Sequence, residues 1–242
     1  MSSISATERP PVVPAPVRRL QFSAWPLWAT LAGVAGTIAV VVTDLRPAAE
    51  LEAFLEGREY EVTPADMAGL DPALGRVGFL FGILAVAALL GFAAAWRTRV
   101  ETRLPRSVAA SVVSLGVAAT AAGLILGAGW RGALANYLGA ESGLYGADGL
   151  FVYYMLTDFG AYLPWYGVLV AAFGVTWMAL AERTVSRALG GVTAVIALGA
   201  LAQVVVTGVP GLPGVYAPMW LVLLGIWLAV GRSRITEPEG ER

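Results

Sequence analysis

Long apolar runs separated by shorter polar segments dominate the chain. A hydrocarbon core of ~30 Å requires about 20 helical residues, and six runs approach or reach this length. They are too long for buried strands and show no strict alternation of apolar and polar positions. The pattern predicts an all-α polytopic membrane helix bundle with about six transmembrane helices, at residues 22–43, 77–96, 108–129, 161–181, 188–209 and 215–230.

Arginine is concentrated in every second segment between these runs. The arginine-rich segments alternate with two segments that are acidic overall, residues 44–76 and 130–160. Positively charged segments are retained on the cytoplasmic side of a membrane. The bias therefore predicts an N-in/C-in topology in which 44–76 and 130–160 are the outer loops.

The same pattern divides the chain into three parts. Residues 1–21 contain four prolines, which oppose a helix, and are predicted to be a disordered cytoplasmic tail. Residues 22–231 form the predicted six-helix transmembrane domain, and residues 232–242 form a second cytoplasmic tail. We expect a multi-pass protein of a prokaryotic cell membrane whose first partner is the lipid bilayer.

Composition removes several classes of function. Hydrophobic residues make up 57% of the chain and charged residues only 14%, below the ~25% of an ordinary soluble domain. Cysteine and histidine are absent and every basic residue is arginine. These absences exclude disulfides, thiol or imidazole catalysis, Cys/His metal sites and lysine-based phosphate loops. No cofactor or metal is predicted, and without a basic patch no nucleic-acid partner is expected.

Few polar side chains fall within the predicted spans, and none of those is charged. They include Gln203, Ser111, Ser114, Thr120, Thr193 and Thr207. Ionisable groups inside a membrane usually mark ion or proton pathways, so their absence argues against a proton-coupled pump. The amide of Gln203 needs hydrogen-bond partners, supplied either by a neighbouring helix or by a ligand.

Six of the eight tyrosines lie between residues 137 and 166. Tyr154, Asp158, Tyr162 and Tyr166 recur every four residues, which on one continuous helix would align three phenols and a carboxylate. We predict these four residues, with Gln203, as a ligand-binding site. Two observations oppose the prediction, because Pro164 disfavours an unbroken helix and tyrosines are common at a membrane interface.

Two further patterns concern contacts. Small residues recur at four-residue spacing, which lets helices pack closely within the chain, against a second copy or against another membrane protein. They are Gly78 and Gly82, then Ala119, Gly123 and Gly127, then Gly167 and Ala171. In the first outer loop Ala48, Leu51, Phe54 and Leu55 share one helical face, and we expect this stretch to lie on the outer membrane surface.

A weak internal similarity joins the second and fourth spans. At an offset of 81 residues, Phe92 and Trp96 align with Phe173 and Trp177, as a duplicated helical hairpin would produce. Aromatic residues at the inner ends of membrane helices produce the same pattern without duplication.

Three functions are compatible with these features. The first is a non-enzymatic accessory or scaffold component of a membrane assembly, because no nucleophile, base or metal cluster is evident. The alternative is a small-molecule transporter or ligand-sensing protein with an outward-facing aromatic site. The third, an enzyme that uses Asp158 and Glu141 as acid and base, has only carboxylates for its chemistry.

Overall fold

The computed structural model describes residues 23–231, 233 and 235–236, and every regular element in this part is helical. The predicted tail over residues 1–21 lies outside the described residues, as does most of 232–242. The helices are α1 (Leu27–Thr37, extended by a π turn at Ile38–Val42), α2 (Ala48–Leu55), α3 (Pro72–Trp96, extended by a π turn at Arg97–Glu101), α4 (Val108–Leu138), α5 (Ala147–Tyr162), α6 (Tyr166–Leu180), α7 (Arg187–Thr207) and α8 (Leu212–Val230). Short 3₁₀ turns occupy Pro64–Gly69 and Leu163–Trp165.

Five helical segments are long and apolar enough to cross a membrane. They are Pro72–Glu101, Val108–Leu138, Ala147–Leu180, Arg187–Thr207 and Leu212–Val230. The segment Leu27–Val42 is apolar but shorter. The predicted all-helical membrane bundle is thus confirmed at the level of fold class.

The segment 130–160, predicted as a loop, is mostly helical. Helix α4 continues to Leu138, and α5 already begins at Ala147. No proline lies between residues 130 and 160, and the alanines and leucines there favour a helix. At ~1.5 Å per residue α4 is about 46 Å long, so it exceeds a ~30 Å hydrocarbon core by several turns.

These extra turns take part in a second hydrophobic core. The larger core lies inside the bundle and includes Leu89, Phe92, Trp96 and Trp165. The smaller one is formed by Leu45, Met67, Leu70, Leu134 and Tyr154. We call the unit around the smaller core the cap, which comprises residues 43–71 together with the end of α4 and the beginning of α5.

The glycines among the small residues at four-residue spacing lie at contacts between helices of this chain. A methyl group at Gly127 would lie 2.1 Å from the carbonyl oxygen of Gly160, and one at Gly116 would lie 2.3 Å from that of Gly167. Gly123 lies against the ring of Pro164, where an added methyl group would be 2.8 Å from Cβ. Backbones this close tolerate no side chain, so these glycines fix the packing of α4 against α5 and α6.

The two halves of the possible repeat have different environments. Trp96 is fully buried, and its indole N–H donates to the carbonyl oxygen of Ala110 at 2.9 Å. Trp177, its counterpart, is 62% exposed. The aligned aromatic positions therefore do not perform equivalent packing roles.

Thr120 repairs the break that Pro164 introduces between α5 and α6. In a regular helix the N–H of Val168 would donate to the carbonyl of Pro164. Here that N–H donates to Thr120 Oγ1 at 2.9 Å, and the Thr120 hydroxyl donates to the Pro164 carbonyl, also at 2.9 Å. One buried hydroxyl thus replaces a missing backbone hydrogen bond in a neighbouring helix.

We expect Thr120→Val to lower stability by about 1–3 kcal/mol, because it leaves a buried N–H and a buried carbonyl without partners. Thermal unfolding of the detergent-purified protein measures the effect. Thr120→Ser keeps the hydroxyl and serves as the control. Equal midpoints for the valine and serine variants would contradict the bridging role.

Asp66 organises the 3₁₀ turn of the cap. Its carboxylate accepts hydrogen bonds from the Thr63 N–H at 2.7 Å, from the Tyr60 hydroxyl at 2.7 Å and from the Thr63 hydroxyl at 2.9 Å. These bonds, that of the Thr63 N–H foremost, lower the pKa of Asp66. Because the pKa of Asp66 is lower in the folded state, the ionised carboxylate stabilises the fold fully when the pH is above the unfolded-state pKa of ~3.9. This stabilisation is lost as the pH falls through the folded-state pKa.

The cap should therefore become easier to open in acid. We expect amide hydrogen exchange around Thr63 to accelerate as the pH drops below about 4, after correction for intrinsic exchange. The variant Asp66→Asn should exchange faster than wild type at neutral pH, and its corrected rate should change less with pH. A wild-type acid response retained in full by the asparagine variant would show that another group is responsible.

Candidate functional site

The described chain buries one arginine at the junction between the bundle core and the cap. Arg131 lies on α4, inside the apolar segment Val108–Leu138, and only 4% of its surface is exposed. The expectation that the apolar helices bury no charged side chain is therefore wrong. The error arose because α4 was predicted to end at residue 129, two residues before this arginine.

Backbone oxygens at the end of α1 hold the guanidinium. Arg131 Nη1 donates to the carbonyl of Ala39, and Nη2 donates to the carbonyl of Thr43. A longer contact of 3.4 Å joins Nη1 to Thr43 Oγ1. The last carbonyls of any helix lack partners within that helix, and they carry the negative end of its dipole. Arg131, which lies on another helix, therefore provides hydrogen-bond donors for the C-terminal carbonyls of α1.

No carboxylate within the described residues pairs directly with this cation. The ion pairs found among the described residues join Arg46 to Asp44 and Glu50, Arg58 to Glu56, and Arg97 to Glu101. The positive charge of Arg131 is thus balanced at contact distance by peptide dipoles. Such a cation at a helix C-terminus is worth up to ~2 kcal/mol in a partly buried geometry.

Gly78 on α3 makes room for the guanidinium. A methyl group at this position would lie 2.6 Å from Arg131 Nη1 and 2.7 Å from Thr43 Oγ1. Tyr162 adds a third contact to the same helix end, since its hydroxyl donates to the carbonyl of Val40 at 3.4 Å. Four helices, α1, α3, α4 and α5, therefore meet around one charged group.

A small polar cavity of about 10 Å³ lies beside Arg131. Its lining comes from three parts of the chain: Asp44, Leu45, Arg131, Tyr154, Thr157, Asp158, Ala161 and Tyr162. Three of the predicted site residues, Tyr154, Asp158 and Tyr162, are in this set. Tyr154 is buried and its hydroxyl donates to Glu50 Oε2 at 3.1 Å, whereas Asp158 lies on the exposed rim.

The other two predicted site residues lie elsewhere. Tyr166 begins α6 after the 3₁₀ turn at Leu163–Trp165, which breaks the four-residue stripe, and it packs against the bundle core. Gln203 lies on the exposed surface of α7. Neither lines the cavity. Pro164 explains the separation, because a proline cannot continue the hydrogen-bond ladder of α5.

Arg131, Asp44 and Thr157 were missed by sequence reasoning. A signal for Arg131 was present, because residues 132–138 continue as an unbroken helix-compatible run after it. An arginine followed by two more helical turns is inside a helix rather than in a loop. No comparable signal marks Asp44 or Thr157, which reach the cavity only through the packing of α1 against α5.

A cluster of charges joins the cavity to α2. Arg46 Nε lies 2.5 Å from Asp44 Oδ2, and Arg46 Nη1 lies 4.0 Å from Glu50 Oε1. Burial acts to lower the pKa of Arg46, but the nearby negative charges, led by Asp44, outweigh it and raise the pKa overall. Because Glu50 also accepts from the Tyr154 hydroxyl, the cluster is linked to α5 through that side-chain contact.

The remaining tyrosines and Glu141 do not contribute to the cavity. Tyr137, Tyr145 and Tyr153 pack together in the cap with ring centroids 4.6–5.8 Å apart. Glu141 is exposed in the turn between α4 and α5, and Asp158 follows eleven residues after the start of α5, about 16 Å along that helix. The two carboxylates proposed as an acid and base therefore do not both line this site.

Comparison of the chain with protein-family models, curated proteins and solved structures finds no match. Among the described residues, no group of three or more acidic, histidine or cysteine side chains is arranged to hold a metal ion.

We expect Gly78→Ala to destabilise the protein by about 1–3 kcal/mol, because the added methyl displaces a guanidinium that two carbonyls hold in place. The matched control is Gly129→Ala on α4, where a methyl group meets no atom within 4 Å. Alanine should be neutral or favourable there, since glycine costs roughly 0.5–1 kcal/mol within a helix. Thermal midpoints compare the two, and similar midpoints would contradict a tightly held Arg131.

Proposed function

We propose that this protein is a non-enzymatic accessory or scaffold component of a membrane assembly. The observation that carries the proposal is the exposed side of helix α7, which faces away from the bundle. In this proposal the chain crosses a prokaryotic cell membrane six times, with both termini in the cytoplasm. The alternating arginine-rich segments and the five long apolar helices, with the shorter α1, support that topology.

Helix α7 contacts the bundle along one side only. Its buried residues are Leu189, Gly190, Thr193, Ala197 and Ala200. The opposite side is exposed, and we call it the open face: Gly191, Val195, Gly199, Ala202 and Val206. From residue 201 to the end of the helix no residue is buried. Residues 201–207 of α7 are thus less covered by the rest of the chain than residues 187–200.

The glycines of the open face differ from the glycines in the bundle. A methyl group at Gly191 or Gly199 would meet no atom within 4 Å, whereas Gly116, Gly127 and Gly167 lie against neighbouring backbone. Glycine inside a membrane helix lowers helix stability but permits close approach of another helix. The spacing of eight residues places Gly191 and Gly199 on one side of α7, where a partner helix can approach both.

Gln203 lies beside the open face and supports the same proposal. It is exposed, and none of the side-chain hydrogen bonds found in the described part of the chain involves its amide. Lipid tails offer no hydrogen bonds, so an amide at membrane depth gains free energy from a polar group on a partner helix. A second copy of this chain or another membrane protein can supply that group.

The surface of the cap supports a second contact, with the lipid surface. Helix α2 buries Ala53 and leaves Leu51, Phe54 and Leu55 exposed. The helix begins six residues after the apolar segment Leu27–Val42, which places it near the membrane boundary. We propose that this apolar face lies in the outer interface and holds the cap against the membrane.

The alternative function is a small-molecule transporter or ligand-sensing protein. The convergence of Tyr154, Asp158 and Tyr162 on one cavity favours it. The volume of about 10 Å³ is too small for an organic ligand, however, and the cavity between α6, α7 and α8 has a mainly apolar lining. A polar path near Gln203 would support transport, but that residue lies on the outer surface of α7. The accessory function therefore has the stronger support.

The test is gentle extraction into nanodiscs followed by mass spectrometry of every protein that remains bound. We expect a stoichiometric partner or a second copy. The double variant Gly191→Leu with Gly199→Leu should retain about tenfold less of it, which corresponds to ~1.4 kcal/mol of association free energy.

Gly129→Leu is the matched control, because it adds the same side chain to an exposed glycine on α4. It should retain the partner at the wild-type level. Equal retention by the double variant and the control would refute the open face as the contact. A wild-type chain that emerges alone, with a stoichiometric small molecule bound, would favour the alternative function.

A further inference from the structure

Two buried polar atoms beside one cavity lack partners. Arg131 Nε and Thr157 Oγ1 have no hydrogen-bond partner within the described part of the chain. Arg131 is 4% exposed and Thr157 is 3% exposed, and both residues line the cavity between α4, α5 and the segment that follows α1. A guanidinium N–H and a hydroxyl are therefore removed from bulk water at the same place.

Two unpartnered atoms on residues of one cavity lining distinguish this site from the other buried polar atoms of the bundle. Thr30 Oγ1 and Trp165 Nε1 are also buried without partners, but neither residue belongs to the lining of this cavity. A single unpartnered atom is found in many folded proteins. Arg131 and Thr157 come from different helices and line one cavity, so one small group in it is the simplest common partner for both atoms.

The size of the cavity limits what that partner can be. A volume of about 10 Å³ is close to that of one water-sized probe, which is the lower limit for holding a single water molecule. An organic substrate is excluded by this size. A water molecule in such a place normally makes two to four hydrogen bonds, and the lining offers that number of polar groups.

The chemistry of the lining defines the partner further. Arg131 Nε–H can only donate, so the missing group must accept a hydrogen bond. The Thr157 hydroxyl can donate as well, and the Asp158 carboxylate on the rim can accept. Water satisfies all three groups at once. A halide ion would accept from the first two but would lie near the carboxylates of Asp158 and Asp44.

We propose that this cavity is a binding site for one water-sized hydrogen-bond acceptor, held between Arg131 Nε and the Thr157 hydroxyl. The acceptor completes the hydrogen bonds of Arg131, which also binds the last carbonyls of α1. The same acceptor connects α4 to α5. This inference is independent of the accessory function, because it concerns a ligand inside the chain rather than a partner on α7.

The variant Thr157→Val gives a result whose sign tests the proposal. If an acceptor is bound, valine removes one of its partners and the thermal midpoint falls. If the cavity is empty, valine removes an unpartnered hydroxyl at nearly constant volume and the midpoint rises. A rise or an unchanged midpoint overturns the proposal. Thr176→Val is the control, because that hydroxyl bonds only to the carbonyl of Ala172 in its own helix, and it should change the midpoint little.

Two additional measurements complete the test. Replacing chloride by gluconate should leave the wild-type midpoint unchanged if the acceptor is water and lower it if the acceptor is chloride, with Thr157→Val insensitive in both cases. If the valine variant does not accumulate, a high-resolution experimental structure of the wild-type chain decides. Density within hydrogen-bond distance of both Arg131 Nε and Thr157 Oγ1 supports the site, and an empty cavity overturns it.

Discussion

The guanidinium of Arg131 bonds to carbonyls at the end of α1, and much of the architecture at that end of the bundle is arranged around this contact. A buried cation without a carboxylate at contact distance is costly unless oriented dipoles replace its hydration. The carbonyls of Ala39 and Thr43 provide those dipoles, and the π turn at Ile38–Val42 lies at this helix end. Gly78 is small because any side chain there would occupy the space of the guanidinium.

This contact also explains why the chain has two hydrophobic cores. Arg131 and the polar groups around it lie between the bundle core and the cap core, so apolar packing cannot be continuous from one to the other. The polar contacts at this junction include Arg131 with the carbonyl of Ala39 and Tyr162 with the carbonyl of Val40. Hydrogen bonds are more directional than apolar contacts, so they fix the orientation of the cap on the bundle.

Within the bundle, close backbone contacts take the place of a large hydrophobic driving force. Glycines on α4 lie against α5 and α6, and Thr120 supplies the hydrogen bonds that Pro164 removes. Gly191 and Gly199 on the open face of α7, by contrast, lie against no atom of the described chain. That contrast is the physical basis of the proposed accessory function, since lipid packs against any apolar helix but provides no partner for Gln203.

The sequence by itself determined the fold class, an all-helical membrane bundle, because lipid requires runs of about 20 apolar residues and such runs are visible in one dimension. It also identified three residues of the cavity, Tyr154, Asp158 and Tyr162, from their spacing on one helix. Only the tertiary structure decided that α4 extends past Arg131, that Tyr166 leaves the stripe and that Gln203 faces outward. Helix periodicity describes which residues share a face, but the burial of Arg131 depends on carbonyls 92 and 88 residues earlier in the chain, and no local pattern records that contact.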